Sequence, residues 1–285
     1  MSNVHAPRSG ALPDWMTGFD QAGSWLAAPD PEAGGPSLVG IMAQPMSVGA
    51  MTQVLYLTET GDTAAISVND IHQGQIGDCF LLSSIGELAM FDPVLIARMI
   101  HANSNGTETV TLYEASNGRP PGFGTTSFKA AAQTVTNSFP TGAVNNGATQ
   151  DVSGGQKEIW VQVLEKAYAQ ANGGYPGIQH GGNPCIAMEE LTGHVAIPYR
   201  ATGFTAAILS ADLAAGDLIV MDTANAASLP YHLVGNHAYM FDGVQTVGGV
   251  AYARMSNPWG FDQPSLIPIA KLGSAFAEVD IGHTR

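Results

Sequence analysis

Two cysteines, Cys79 and Cys185, are all that this 285-residue chain contains, which excludes a disulfide framework. Were they paired with each other, neither would be a free nucleophile. Charge is scarce as well, at 12% of residues, about half the usual share. It is also one-signed: 24 acidic residues stand against 10 basic ones, for a net charge of −14. That balance argues against nucleic acid or an anionic membrane as a partner. No apolar run approaches the length of a membrane span, and the opening MSNVHAPRSGALPDW lacks the apolar core of a signal peptide. The expectation is a soluble chain, cytoplasmic or exported without a recognisable signal peptide. Internal repeats, Gly-rich phosphate loops, HExxH and CxxC are all missing, and His232 and His237 lie at no common zinc spacing.

What is present is a 45% hydrophobic sequence with 34 Gly and 17 Pro, enough for a sizeable core crossed by many turns. Residues 1–49, rich in Pro, Gly and Ala, read as a leader, a surface wrap or a pro-segment. Two strand-like runs, QVLYLTE and TAAISV, follow from Gln53 and are split by a turn at Gly61-Asp62. TETVTLYEA alternates as a half-buried strand does, and QTVTNSFP reads as a second one. The clearest helical stripe runs from Gln156 to Ala171, with Glu158, Gln162 and Glu165 on its polar side. Beyond about His194 the runs GDLIVMDT, HAYMFDGV and VAYARMSN are strand-like. The expected fold class is α+β, with a helical unit over 50–195 and a β-rich unit over 196–285.

The chemistry centres on NDIHQGQIGDCFLLSSIGELAM. Leu81, Leu82, Ile85, Leu88 and Ala89 recur at helical spacing, so Cys79 heads a helix, with Asp78 as N-cap and Gly77 supplying the turn. A thiol at a helix N-terminus meets unpaired N–H groups and the positive end of the macrodipole, which predicts a lowered pKa and a reactive thiolate. Downstream, His237 opens the run HAYMFDGV and Asn257 closes VAYARMSN. Two adjacent antiparallel strands would bring them to one end of a sheet. There the imidazole can take the thiol proton while the Asn257 carbonyl orients the ring.

These local words, QGQIGDCFLLSSIGELA, GNHAYMFDGV and SNPWG, resemble the three active-site signatures of the calpain family of cysteine proteases, in the same order. LEKAYAQANGGY followed by ELTG resembles that family's intervening helix and loop, so the likeness spans about Asp70 to Trp259. The resemblance implies a papain-like protease core in two subdomains, one with the Cys helix and one, antiparallel and β-rich, with His and Asn. It implies Cys79 as nucleophile, His237 as base, Asn257 as its orienting partner and Gln73 as the oxyanion-hole amide, with Gln75 as the rival if the loop register differs. Gly77, Asp78 and Trp259 fall at the substrate cleft. The implied activity is endopeptidase cleavage of protein or peptide substrates through a thioester. The rivals are acyl transfer as in transglutaminases and a catalytically silent binding or inhibitory module.

The sequence departs from the pattern at Phe80, where the family has tryptophan, and at Asn236, where it commonly has glycine. No cofactor is required for the chemistry itself. Calcium enters only through the resemblance, with Asp70 and Glu165 at the acidic positions of the family's first core site. The second site's acidic loop has no counterpart, since VQTVGG stands between Gly243 and Val250, and no EF-hand pattern occurs.

Overall fold

The computed structural model describes residues 51–58, 64–116, 127–145 and 152–284; the leader at 1–49 and the Gly61-Asp62 turn lie outside them. Strand β1 (Thr52–Val54) is followed by a 3₁₀ turn, Val68–Asp70, and then by helices α1 (Cys79–Phe91) and α2 (Pro93–Met99). Strands β2 (Ile100–Ala102), β3 (Thr107–Ala115) and β4 (Phe128–Thr136) form an antiparallel sheet. A second small sheet joins β1 to β5 (Val152–Ser153) and β6 (Gln156–Glu158). Three helices come next: α3 (Trp160–Ala171), α4 (Tyr175–Ile178) and α5 (Pro184–Thr192). The remainder is β7 (Ala196–Arg200), α6 (Ala206–Ala215), β8 (Leu218–Asp222), β9 (Ala238–Val247), β10 (Val250–Ser256), β11 (Ile267–Pro268), α7 (Leu272–Ala275) and β12 (Glu278–Gly282). Its strands make one six-stranded sheet in the order β11-β10-β9-β8-β12-β7, antiparallel at every pairing. The architecture is the mixed α+β arrangement that the sequence predicts.

Helix boundaries follow local chemistry. Asp92 ends α1 and caps α2, accepting from the Leu95 N–H at 3.1 Å, with Pro93 in the first turn. Asn183 caps α5 in the same way, and Gly193 closes it at φ 72°, a left-handed conformation that favours glycine.

Two apolar clusters divide at the six-stranded sheet. Leu218, Val220 and Ala238 pack with α1, α3 and α5 on one face. Ile219, Met221, Tyr239 and Phe241 alternate to the other face, against Leu209 of α6 and Leu272 and Ala275 of α7. Helix α1 therefore lies between the sheet and the other helices, and it is buried all round from Phe80 to Ala89 rather than along one stripe.

Four local expectations differ. Of QVLYLTE only Gln53 and Val54 pair among the described residues, and the described part of TAAISV, 64–68, forms no strand, because Ser67 and Asp70 cap each other's backbone in a capping box that folds the 3₁₀ turn. The second strand, β4, begins at Phe128 because Ala130 to Ala132 pair along β3, overriding the helical preference of alanine. Helix α3 starts at Trp160, since Gln156 to Glu158 are taken into β6 beside β1. Its polar side is also covered: Glu158, Gln162 and Glu165 are all buried.

Candidate active site

Cys79 begins α1 half-buried, and both cysteines are free thiols. Asp78 does not cap the helix: its side chain makes no bond to the first turn and is turned inward, fully buried. Its carboxyl shares a hydrogen bond with Glu165, and burial together with Glu165's charge pushes it well above the usual carboxylate range. Asp78 therefore stands behind the Cys79 turn, not on a cleft wall. Gln73 reaches the same turn, its Nε2 donating to Ile76 O at 2.8 Å and to Asp78 Oδ1 at 3.3 Å. Gln75 is exposed, and its backbone N–H donates to Gly142 O instead, so it lies apart from that group. Gly77 bridges to His180.

His237 sits one residue before β9, with its N–H donated to Thr223 Oγ1 at 2.9 Å. Asn257 follows the last residue of β10, the antiparallel neighbour of β9. Its Oδ1 lies 2.9 Å from His237 Nε2. The amide orientation is set by two further bonds: Trp259 N donates to Oδ1 at 3.1 Å, and Nδ2 donates to Asp262 O at 3.2 Å. With Oδ1 facing the ring, Nε2 carries the proton and Nδ1 keeps a lone pair. The imidazole is held between Trp259, centroid to centroid 4.8 Å, and Tyr239, 4.9 Å.

Cys79 and His237 open onto one cavity of about 360 Å³, with Phe80, Gly182, Asp222, Ala238 and Glu278 among its walls. Gly182 packs flat on the Phe80 ring, since a Cβ there would fall 2.5 Å from it. The lowered thiol pKa is not what this site produces. Burial pushes Cys79 up to about 12, with the charges of Asp222 and Asp78 adding to it and the nearby Ala238 N–H opposing. Burial also lowers His237 to about 4, against the opposing Asn257 bond. Desolvation outweighs the helix terminus, so the resting thiol and imidazole are both neutral.

Asp70 and Glu165 do not fit a calcium ion as arranged. Asp70 Oδ2 accepts from Ser67 N at 2.7 Å and from Trp160 Nε1 at 2.9 Å. Glu165 accepts from Val144 N at 2.8 Å and from Tyr175 Oη at 3.0 Å. N–H and O–H donors thus occupy lone pairs that a cation would need, and calcium takes six to eight oxygens. Among the described residues neither belongs to a group of three or more His, Cys, Asp or Glu side chains within 4.8 Å of one another; Asp222, Glu278 and Asp280 do.

Those three, and Glu87, escape a reading by motif. Glu87 is a lone carboxyl within the apolar run of α1, and it accepts from the backbone N–H groups of Ile219 and Phe241. Its one sequence signal is a charge at a buried helical position.

A model of the "calpain family cysteine protease" matches residues 62–264. The chain is 30% identical to human (Homo sapiens) calpain-9 over 208 residues, covering 67% of this chain and 28% of that protein. It is 30% identical to the pig (Sus scrofa) calpain-1 catalytic subunit over 207 residues, with 67% and 27% covered. Against Drosophila melanogaster calpain-A the identity is 29% over 209 residues, with 67% and 24% covered. The match thus spans about a quarter of each relative's length.

Proposed function

The chain belongs to the calpain family of cysteine proteases, and from that premise we propose that it is an endopeptidase using Cys79, His237 and Asn257. The observation that carries the proposal is the 2.9 Å bond from His237 Nε2 to Asn257 Oδ1 at the wall of a cavity that also exposes Cys79. With Nε2–H committed to Asn257, Nδ1 is the ring atom free to act as base. It takes the thiol proton as Sγ attacks the peptide carbonyl, so a neutral resting pair ionises only during attack.

The negative charge then sits on the former carbonyl oxygen. The Cys79 backbone N–H and the Gln73 amide are the donors suited to it. One Gln73 proton, on the 3.3 Å contact to Asp78, is the weaker-held and the one to exchange. Collapse breaks the C–N bond, and the imidazolium proton passes to the leaving amine. Water then attacks the thioester with His237 again as base, releasing the acid and restoring the thiol. Calcium has no part in these steps.

The test is hydrolysis of casein by wild type, Cys79→Ala and Asn257→Ala, each with calcium or with chelator. Wild type is expected to cleave in both conditions, Cys79→Ala not at all, and Asn257→Ala with kcat reduced ~10–100-fold through loss of ring orientation. Equal cleavage by Cys79→Ala would refute the assignment. Absence of cleavage in every condition would leave a silent binding module on this fold.

A further inference from the structure

Strand β12 pairs with β8 so that Glu278 lies directly opposite Asp222, and Asp280, two residues on, shares their face of the sheet. Like charges directly opposite each other destabilise a sheet. These three carboxyls nonetheless come within 4.8 Å of one another, and Glu278 and Asp280 are buried. On its other side Glu278 faces Arg200 of the edge strand β7, an exposed residue. Asp280 has no exposed surface: its Oδ1 accepts the Cys185 thiol at 2.9 Å, and its carboxyl shares hydrogen bonds with Asp222 and Glu278, burial holding all three above the usual carboxylate range. Protons shared among buried carboxyls hold such a cluster together, and a cation entering from outside can displace them.

Two of the three, Asp222 and Glu278, line the cavity that holds Cys79 and His237. The remaining walls include carbon surface from Phe80 and Ala238. Carbon walls with carboxyls suit a side chain that has an aliphatic stem and a cationic head. We infer that this cavity takes a lysine or arginine side chain of the peptide substrate, within about two residues of the scissile bond, and that Asp222 and Glu278 determine that specificity. The inference rests on the endopeptidase reading. A calcium ion is the less suitable occupant, because three carboxyls, one already bonded to a thiol, fall short of its coordination.

Matched peptides that differ only in arginine or citrulline, at each position around the cleaved bond, separate charge from shape on the unaltered protein. At one position the arginine peptide is expected to have a kcat/KM ~10–100-fold higher, the range for charge-assisted bonds to buried carboxylates. Glu278→Gln and Asp222→Asn are each expected to collapse that ratio toward one. Cleavage with no arginine preference at any position overturns the inference and leaves the protease intact. If wild type cleaves no peptide, the protease reading fails separately, and binding of the same pairs to Cys79→Ala decides the pocket: preference for arginine upholds it, indifference overturns it. Calcium chloride titrated into Cys79→Ala is the last arm. Calcium binding that Glu278→Gln abolishes, without arginine preference, makes this a metal site and overturns the inference.

Discussion

Glu87 holds the Cys helix to the sheet that carries the histidine, and its removal tests that packing directly. The β8–β9 ladder runs from Asp222↔Ala238 to Val220↔Met240 and stops. The next rung would join Ile219 and Phe241, whose N–H groups instead converge on the two Glu87 carboxyl oxygens. The side chain has no exposed surface, so water cannot replace it. Glu87→Ala strands two buried donors at about 1–3 kcal/mol each, roughly 2–6 kcal/mol before any cavity term. At about 2–4 °C per kcal/mol for a protein of this size class, Tm is expected to fall by on the order of 5–20 °C. Glu87→Gln keeps the shape and one acceptor but sets an NH₂ against a backbone N–H, so about half that loss is expected. Thermal unfolding followed by circular dichroism, with urea melts to compare midpoints, reads both variants. A Glu87→Ala protein within about 1 °C of wild type, or a Gln variant less stable than the Ala variant, would refute the missing-rung argument.

Two further outcomes follow from the buried titratable groups. Burial raises Glu165 and Glu278 to about 7. Their stabilising protons are fully present below about pH 4.5 and lost as pH rises through 7, so each carboxyl weakens the fold by on the order of 2 kcal/mol or more between pH 5 and 8. His237, lowered to about 4, acts oppositely and returns about 2 kcal/mol over the same interval. Tm is therefore expected to be higher at pH 5 than at pH 8 by several degrees, and a flat or rising profile, or one unaltered in Glu165→Gln, would contradict the burial argument. Iodoacetamide is expected to modify Cys79 alone, since Cys185 is buried and bonded to Asp280. Its rate should climb through pH 10 without levelling, because the Cys79 thiol is raised to about 12, whereas a plateau below pH 7 would reveal a thiolate–imidazolium pair.

Much of the candidate site was legible in the linear sequence because its parts are local. A cysteine after Gly-Asp at the head of an apolar helix, a histidine at a strand start and an asparagine at the next strand's end are each short-range patterns. The antiparallel pairing of β9 with β10 is what hairpin-spaced strands predict. Helix α1, helix α2 and strand β3 were equally readable from periodicity, capping and alternation.

Charge and burial were not readable in this way. Asp78 looks like an N-cap and Glu165 like a solvated helix charge, yet the fold turns both inward against each other. The register of β12 against β8, set by residues more than fifty positions apart, alone brings Glu278 opposite Asp222 beside the cavity. The sign of the Cys79 shift was decided the same way: a helix terminus acts within one turn and is visible locally, whereas desolvation comes from every chain segment that covers the thiol. Sequence by itself determined which residues make up the candidate site. Only the tertiary structure decided their protonation and what lies beside them, because both depend on long-range burial.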